Sequence, residues 1–214
     1  MTIKITYDEI RREVGRFLGF DRDPTNWDTD EAQDIADIIR RAERTVYFQE
    51  YIWSFLVPSS SIVIPASTST VDMPDDFIRM ESSFTNNDMS GGILQMATDA
   101  HIRAADTGDS GRIEYYTIRI KTNGSYEAQF FPTPTAATTL SYRYLVEPQP
   151  LSDSNQYHLG TAMHSEMFLE AVLSQAELTM NPETLGDTGG LHNQKFEQIR
   201  ERMIEMDKTL QVGG

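Results

Sequence analysis

The segment "YFQEYIWSFLVP", residues 47–58, decides how the fold is divided. It is crowded with aromatic and aliphatic side chains, and it separates an acidic helical pattern from a serine-rich, β-branched pattern. A chain that passes from helix to sheet at one point must bury that junction from two sides, and aromatic side chains bury the most area per residue. We therefore predict a buried structural seam at this junction. Its expected members are Tyr51, Trp53, Phe55 and Phe77.

Two alternatives remain for this segment. It can be an exposed surface that binds a partner protein, because aromatic residues are common at the centres of interfaces. It can also line a cofactor pocket, but no polar anchoring residues accompany the aromatic ones. A buried core position is the commonest environment for such residues, which favours the seam.

Helical patterns occupy both ends of the chain. Thr6 and Glu9 have the spacing of a capping box, and Gly19 suits a left-handed helix stop. The predicted helices cover residues 6–19, 28–49, 161–180 and 194–211. The expected inner face of the second helix is Ile35, Ile38, Ile39, Ala42 and Val46, and that of the last is Phe196, Ile199, Met203, Met206 and Leu210.

The middle of the chain has the pattern of β-strands. Short β-branched and alternating runs lie at residues 59–74, 112–134 and 137–148, and Asn123-Gly124 is a strong hairpin signal. The fold class that follows is α+β, with a helical bundle from both chain ends and a mainly β middle insertion. We expect a helical domain of residues 1–50 and 151–214 and a β-rich domain of residues 51–150.

The composition limits the possible functions. The formal net charge is −15, from 33 acidic and 18 basic residues, which is unfavourable for gripping the phosphates of DNA. The absence of cysteine excludes disulfides and thiolate metal sites, and indicates a reducing cytoplasm as the place of synthesis. No apolar run approaches the roughly 20 residues that span a bilayer, so we expect no membrane partner.

Motifs for catalysis and metal binding are weak. "GDSG", residues 108–111, resembles the nucleophile motif of trypsin-like proteases, but Arg112 follows it and no matching His segment lies upstream. A calcium loop beginning at Asp21 would need Gly and Glu where Asn26 and Ala32 stand. We predict no catalytic, cofactor-binding or metal-binding residues, and no cofactor.

One enzymatic alternative stays open, a hydrolase that uses His164 with Glu166 or Glu170. It requires a concave pocket that joins these side chains. Residues two apart in a helix do not share a face, so His164 and Glu166 are poorly placed to act together.

Several segments in order resemble a known family, the head-to-tail adaptor (connector) proteins of tailed bacteriophages. The paired helices, the Trp-Ser-Phe-Leu exit, the Pro-Asp-Asp-Phe strand end, the last strand pair and the long helix after it carry the resemblance. These segments are residues 14–48, 51–58, 69–81, 130–146 and 162–177. Residues 82–112 and 181–194 show no such match.

The resemblance implies a structural protein without catalysis. Such adaptors form a twelve-fold homo-oligomeric ring beneath the portal protein in the neck of the virion, and the ring docks a tail or nozzle protein. Packaged DNA passes through the lumen without sequence-specific binding. The protein would be made in the cytoplasm of the bacterial host.

The resemblance also implies that the C-terminal segment reaches the portal. The expected portal-interface residues are Met203, Met206, Leu210 and Val212. The alternative is that Phe196, Ile199 and Met203 pack on the helical core, and that only the last turn is free. A related neck or tail protein, such as a stopper or a tail-tube component, is the other structural hypothesis. The helix–sheet–helix order favours the adaptor, because tail-tube proteins are mainly β.

Overall fold

A computed structural model describes residues 3–86, 92–105, 108–180 and 190–212, with the backbone alone for residues 210–212. The chain forms two compact units, a helical unit of Met1–Leu56 with Pro148–Gly214 and a β unit of Val57–Glu147. Helices lie at both chain ends and strands in the middle, so the predicted α+β class is confirmed. The division into independent domains with the predicted boundaries stays a prediction, because compact units need not fold alone.

The described helices and strands are named in chain order. The helices are α1 (Tyr7–Leu18), α2 (Thr29–Phe48), α3 (Asp99–Ala105), α4 (Ser165–Met180) and α5 (Leu191–Val212). The strands are β1 (Ser59–Ile64), β2 (Thr70–Asp72), β3 (Phe77–Met80), β4 (Gln95–Met96), β5 (Ser110–Gly111), β6 (Tyr115–Ile120), β7 (Tyr126–Phe131), β8 (Thr133–Pro134) and β9 (Thr138–Val146).

The first two helices begin where their capping residues predict. The Thr6 side chain accepts a hydrogen bond from the Glu9 backbone N–H, and the Glu9 carboxylate accepts one from the Thr6 N–H. α1 ends at Gly19, whose φ of 82° is readily adopted only by glycine. Asp28 and Glu31 form the same reciprocal cap at the start of α2. These caps satisfy backbone donors that a helix start otherwise leaves unpaired.

α4 is the central helix of the helical unit, since it packs against α1, α2 and α5. Burial on several sides agrees with its sequence, in which Ser165, Glu170 and Ser174 are buried along with the apolar side chains. The whole predicted inner face of α2 is buried, as expected. On its outer face Asp37 pairs with Arg40 at 3.3 Å.

The described residues of the β unit form three small sheets. The strand orders are β1-β9-β3, β2-β7-β6-β4 and β5-β8. The predicted hairpin joins β6 and β7, with Thr117 opposite Gln129. Its turn is closed by a hydrogen bond from the Gly124 N–H to the Lys121 carbonyl, and Gly124 has a φ of 87°. A glycine in the left-handed conformation at this position is typical of three-residue hairpin loops, which fit the twist of the two strands.

Candidate functional site

The aromatic segment at residues 47–56 is anchored in the helical unit by its buried members Tyr47, Trp53 and Leu56, whereas Phe48 and Ile52 are exposed. Trp53 is 1% exposed, and its indole Nε1 donates a hydrogen bond of 2.7 Å to the carbonyl of Val46 at the end of α2. The Tyr51 ring meets Trp53 edge-on at 5.0 Å between centroids, and the Phe55 ring stacks on it at 5.7 Å. The segment turns tightly, since Ser54–Leu56 form one turn of 3-10 helix.

The fourth predicted seam residue, Phe77, lies in the β unit. Its ring packs against Tyr126 and Tyr144 at centroid distances of 5.1 and 5.7 Å. The predicted seam residues therefore belong to two different units, three to the helical unit and one to the β unit. Their joint role as a seam stays a prediction.

A carboxylate from the last helix fastens the turn at Ser54. Asp207 of α5 is 3% exposed and accepts hydrogen bonds from the Tyr51 hydroxyl and the Ser54 N–H, both at 2.9 Å. The Ser54 hydroxyl donates a further hydrogen bond to the same carboxylate. A buried charge is tolerated when several donors surround it, as they do here. Burial, and then Asp207, raise the pKa of Tyr51 well above its usual range, so this hydroxyl keeps its proton.

A buried cation, Arg200, fastens α5 about two helical turns closer to its start. The Arg200 guanidinium donates to the carbonyl of Gln49 and to the Glu197 carboxylate, both at 3.0 Å, and approaches the Glu50 carboxylate at 3.5 Å. Gln49 caps the C-terminus of α2, where a positive charge is favoured by the helix dipole. Arg200 and Asp207 together fix the position of α5 against the aromatic segment.

The buried stripe of α5 differs from the predicted one. Phe196 and Met203 are buried as expected, but Met206 is 40% exposed and Ile199 is partly exposed. Arg200 and Asp207 take the inner positions instead, at spacings of four, three and four residues along the stripe. The predicted inner face of α5 contained apolar side chains alone, so both charged residues were missed. The signal available was their regular helical spacing with Phe196 and Met203.

The residues predicted to meet the portal have different environments. Met203 is 3% exposed and packs inside the helical unit, whereas Met206 lies on the surface. The side chains of Leu210 and Val212 lie outside the described residues. The portal interface therefore stays a prediction, and among the described side chains Met206 is its accessible member.

His164 and Glu170, two of the three residues of the hydrolase alternative, have different partners. His164 packs edge-on against Phe55 at 4.9 Å between ring centroids, and its Nδ1 lies 3.1 Å from the Thr161 hydroxyl. Burial lowers the pKa of His164, although Asp207 opposes this shift. Glu170 instead binds His192 at 2.7 Å. A general base must be within hydrogen-bond reach of its partners, and these contacts hold His164 and Glu170 in separate surroundings.

His158 is a core histidine. Its ring stacks on Phe168 at 4.2 Å, its Nδ1 donates to the Leu159 carbonyl at 2.6 Å, and its Nε2 accepts from the Ser165 hydroxyl at 3.0 Å. Burial lowers the pKa of His158 to about 4, so the ring is neutral near pH 7. The Ser165 hydroxyl also accepts a hydrogen bond from the Ile5 N–H, which ties the chain before α1 to the start of α4.

Searches for other kinds of site gave negative results within the described ranges. No group of three or more His, Asp or Glu side chains there is arranged to hold a metal ion. No helix in the same part of the chain is long and apolar enough to span a bilayer.

Comparison with models of protein families matches residues 5–213 to the SU10 adaptor protein family. The chain belongs to this family. The resemblance to phage head-to-tail adaptors that the sequence analysis described is thereby confirmed. A search of curated proteins found no match to the adaptor. The adaptor is a structural component of a bacteriophage virion, and it assembles with other virion proteins.

Proposed function

We propose that the adaptor forms a ring beneath the portal, extends the DNA channel and docks the tail. The match of residues 5–213 to the SU10 adaptor family carries this proposal, because it extends over nearly the whole chain. Twelve copies in the ring are expected from the resemblance to head-to-tail adaptors. Both units of the chain then take part in one structural task, and no reaction is required of either.

The charge of the chain supports a channel that does not hold DNA. With a net charge of −15 on each copy, a ring of identical copies carries a large excess of carboxylates, and we propose that some of them line the channel. Carboxylates repel the phosphate backbone, and the affinity of a protein for DNA comes mainly from Lys and Arg contacts to phosphate. DNA therefore slides along such a wall without sequence-specific binding.

The way α5 is anchored supports a role for its end in contacting the portal. Asp207 and Arg200 hold the middle of the helix against the aromatic segment, so the position of the following turn is set by the fold. Met206 lies on the surface beside this anchor, and methionine adapts its shape to a partner. We assign Met206, Leu210 and Val212 to the portal contact, with Met203 as the buried residue that supports them.

The test is binding of the purified adaptor to the portal protein of the same phage, measured by sedimentation. Met206→Asp places a charge in the proposed contact and should weaken binding at least tenfold. Gln198→Asp introduces the same side chain at another exposed position of α5 and should bind as the wild type does. Equal binding by both variants would overturn the assignment of α5. A wild-type adaptor that never binds the portal would overturn the proposed function itself.

A further inference from the structure

β1 is an edge strand that lacks the usual protection. In the described part of the chain its pairing strand is β9, which leaves the other edge of Ser59–Ile64 open along its length. Ile62 and Ile64 point into the core of the β unit, whereas Ser59, Ser61 and Val63 are exposed, Val63 by 57%. An edge of unpaired N–H and C=O groups is a template for another strand.

Proteins normally guard such edges with a charged side chain, a proline or a bulge within the strand. β1 has none of these, since Pro58 and Pro65 flank the strand and its register with β9 is continuous. The surrounding sequence is also uncharged, because no charged residue occurs between Glu50 and Asp72. The first half of β9 belongs to a second uncharged stretch, between Glu127 and Arg143, and Arg143 itself lies opposite Ser59 at the start of β1.

These uncharged stretches matter because the chain as a whole is strongly acidic. Two copies that each carry a charge of −15 repel one another over most of their surfaces. A neutral edge avoids that repulsion and offers main-chain hydrogen bonds that do not depend on charge. DNA would instead require several basic residues, and β1 itself contains none.

We propose that β1 is a contact between neighbouring copies of the adaptor, in which an edge strand of the second copy pairs with its open edge. The inference rests on the proposed ring, which needs two different lateral faces on each copy. Main-chain pairing sets the register between copies, and the exposed row of Ser59, Ser61 and Val63 packs against side chains of the added strand. The contact uses residues of the β unit and none of α5.

Hydrogen exchange tests the pairing directly. Backbone amides of β1 that point away from β9 should exchange quickly in the monomer and at least tenfold more slowly in the ring. The exposed residues Asn123 and Gly124 of the β6–β7 turn serve as the internal reference, and their amides should exchange alike in both states.

A pair of variants tests the same contact by assembly. Ser61→Glu with Val63→Glu adds two carboxylates along the edge, and should raise the concentration needed for half-assembly at least tenfold. Ile120→Glu with Thr122→Glu adds the same charge at other exposed positions of the β unit, and should assemble as the wild type does. Thermal midpoints of the two double variants show whether both remain folded.

The outcomes separate this inference from the proposed function. A wild-type ring whose β1 amides exchange as fast as in the monomer overturns the β1 contact alone. Normal ring formation by a folded Ser61→Glu, Val63→Glu variant also overturns the β1 contact alone. A wild-type adaptor that forms no ring, alone or with the portal, overturns both the β1 contact and the proposed function.

Discussion

Removing the carboxylate of Asp207 should destabilise the adaptor more than removing any exposed charge of α5. In Asp207→Ala the Tyr51 hydroxyl and the Ser54 N–H both lose an acceptor at 2.9 Å, and the Ser54 hydroxyl loses a third. A hydrogen bond to a charged group contributes about 1.5–3 kcal/mol net, and bonds that share one acceptor are not additive. We expect a loss of about 3–5 kcal/mol in the free energy of unfolding, a large part of the total for a typical domain.

Three further variants divide this loss between the groups involved. Tyr51→Phe removes a single donor and should cost about 1–2 kcal/mol. Asp207→Asn keeps one acceptor oxygen but places its NH2 group against one of the donors. We therefore expect a loss of stability between those of Tyr51→Phe and Asp207→Ala. Glu205→Ala removes an exposed carboxylate that pairs with Lys208, and should change stability by less than about 0.5 kcal/mol.

The assay is urea unfolding followed by tryptophan fluorescence, because Trp53 lies against Tyr51 and reports on the anchored segment. If Asp207→Ala proves as stable as Glu205→Ala to within about 1 kcal/mol, Asp207 does not anchor α5 and the reasoning is refuted. A double-mutant cycle of Asp207→Ala with Tyr51→Phe should show strong coupling, since both variants remove the same hydrogen bond.

The remaining predictions concern Gly15, His158 and Glu43. A Cβ on Gly15 would lie 2.4 Å from the Trp27 ring, so Gly15→Ala should lower the thermal midpoint of the wild type. In a Trp27→Ala background the clash is gone, and the same substitution should raise the midpoint because alanine has a higher helix propensity than glycine by about 1 kcal/mol. Burial lowers the pKa of His158 to about 4, so the unfolded chain binds the proton first as pH falls below about 6.5. The wild type should therefore lose about 3 kcal/mol more than His158→Gln between pH 6.5 and pH 4 in urea titrations. Burial raises the pKa of Glu43 to about 6, so its contribution to stability is present below about pH 4.5 and lost as pH rises through 6. Glu43→Gln, which keeps an acceptor for the Leu151 N–H, should exceed the wild type by about 2 kcal/mol at pH 8 and match it near pH 4.5.

Each of these has a clear contradicting result. Gly15→Ala would contradict the close approach of Trp27 if it stabilised both backgrounds equally. Parallel pH profiles for His158→Gln and the wild type would show that this histidine is not held neutral by burial. A stability advantage of Glu43→Gln over the wild type that does not shrink as the pH is lowered would contradict the raised pKa of Glu43.

Local signals in the sequence predicted the parts of the fold that depend on neighbouring residues. The capping box of Thr6 and Glu9 and the hairpin at Asn123-Gly124 were read from a few positions, because their hydrogen bonds close within the segment itself. The α+β class followed from the change of pattern at residues 47–58. Each of these features is decided by residues close in sequence.

The anchor of α5 could not be predicted in this way. Asp207 and Ser54 are far apart in the chain, and no local pattern shows that a carboxylate in an otherwise amphipathic helix will meet three donors. Arg200 was missed for the same reason, although its guanidinium binds the carbonyl of Gln49. Charged residues enter a core only when distant partners satisfy them, and the sequence does not show those partners.

The hydrolase alternative also depended on contacts between residues that are distant in the sequence. Spacing alone left His164 and Glu170 open as members of one site. Their actual partners, Phe55 and His192, come from the aromatic segment and from α5. Only the packing of α4 against its neighbours separated them.

The most direct test of the central claim is the native mass of the adaptor, alone and mixed with the portal protein of the same phage. The account predicts a portal-bound complex in which the number of adaptor copies is fixed and matches the copy number of the portal. Adaptor that stays unbound at every mixing ratio, or binds with variable copy number, would contradict a ring beneath the portal.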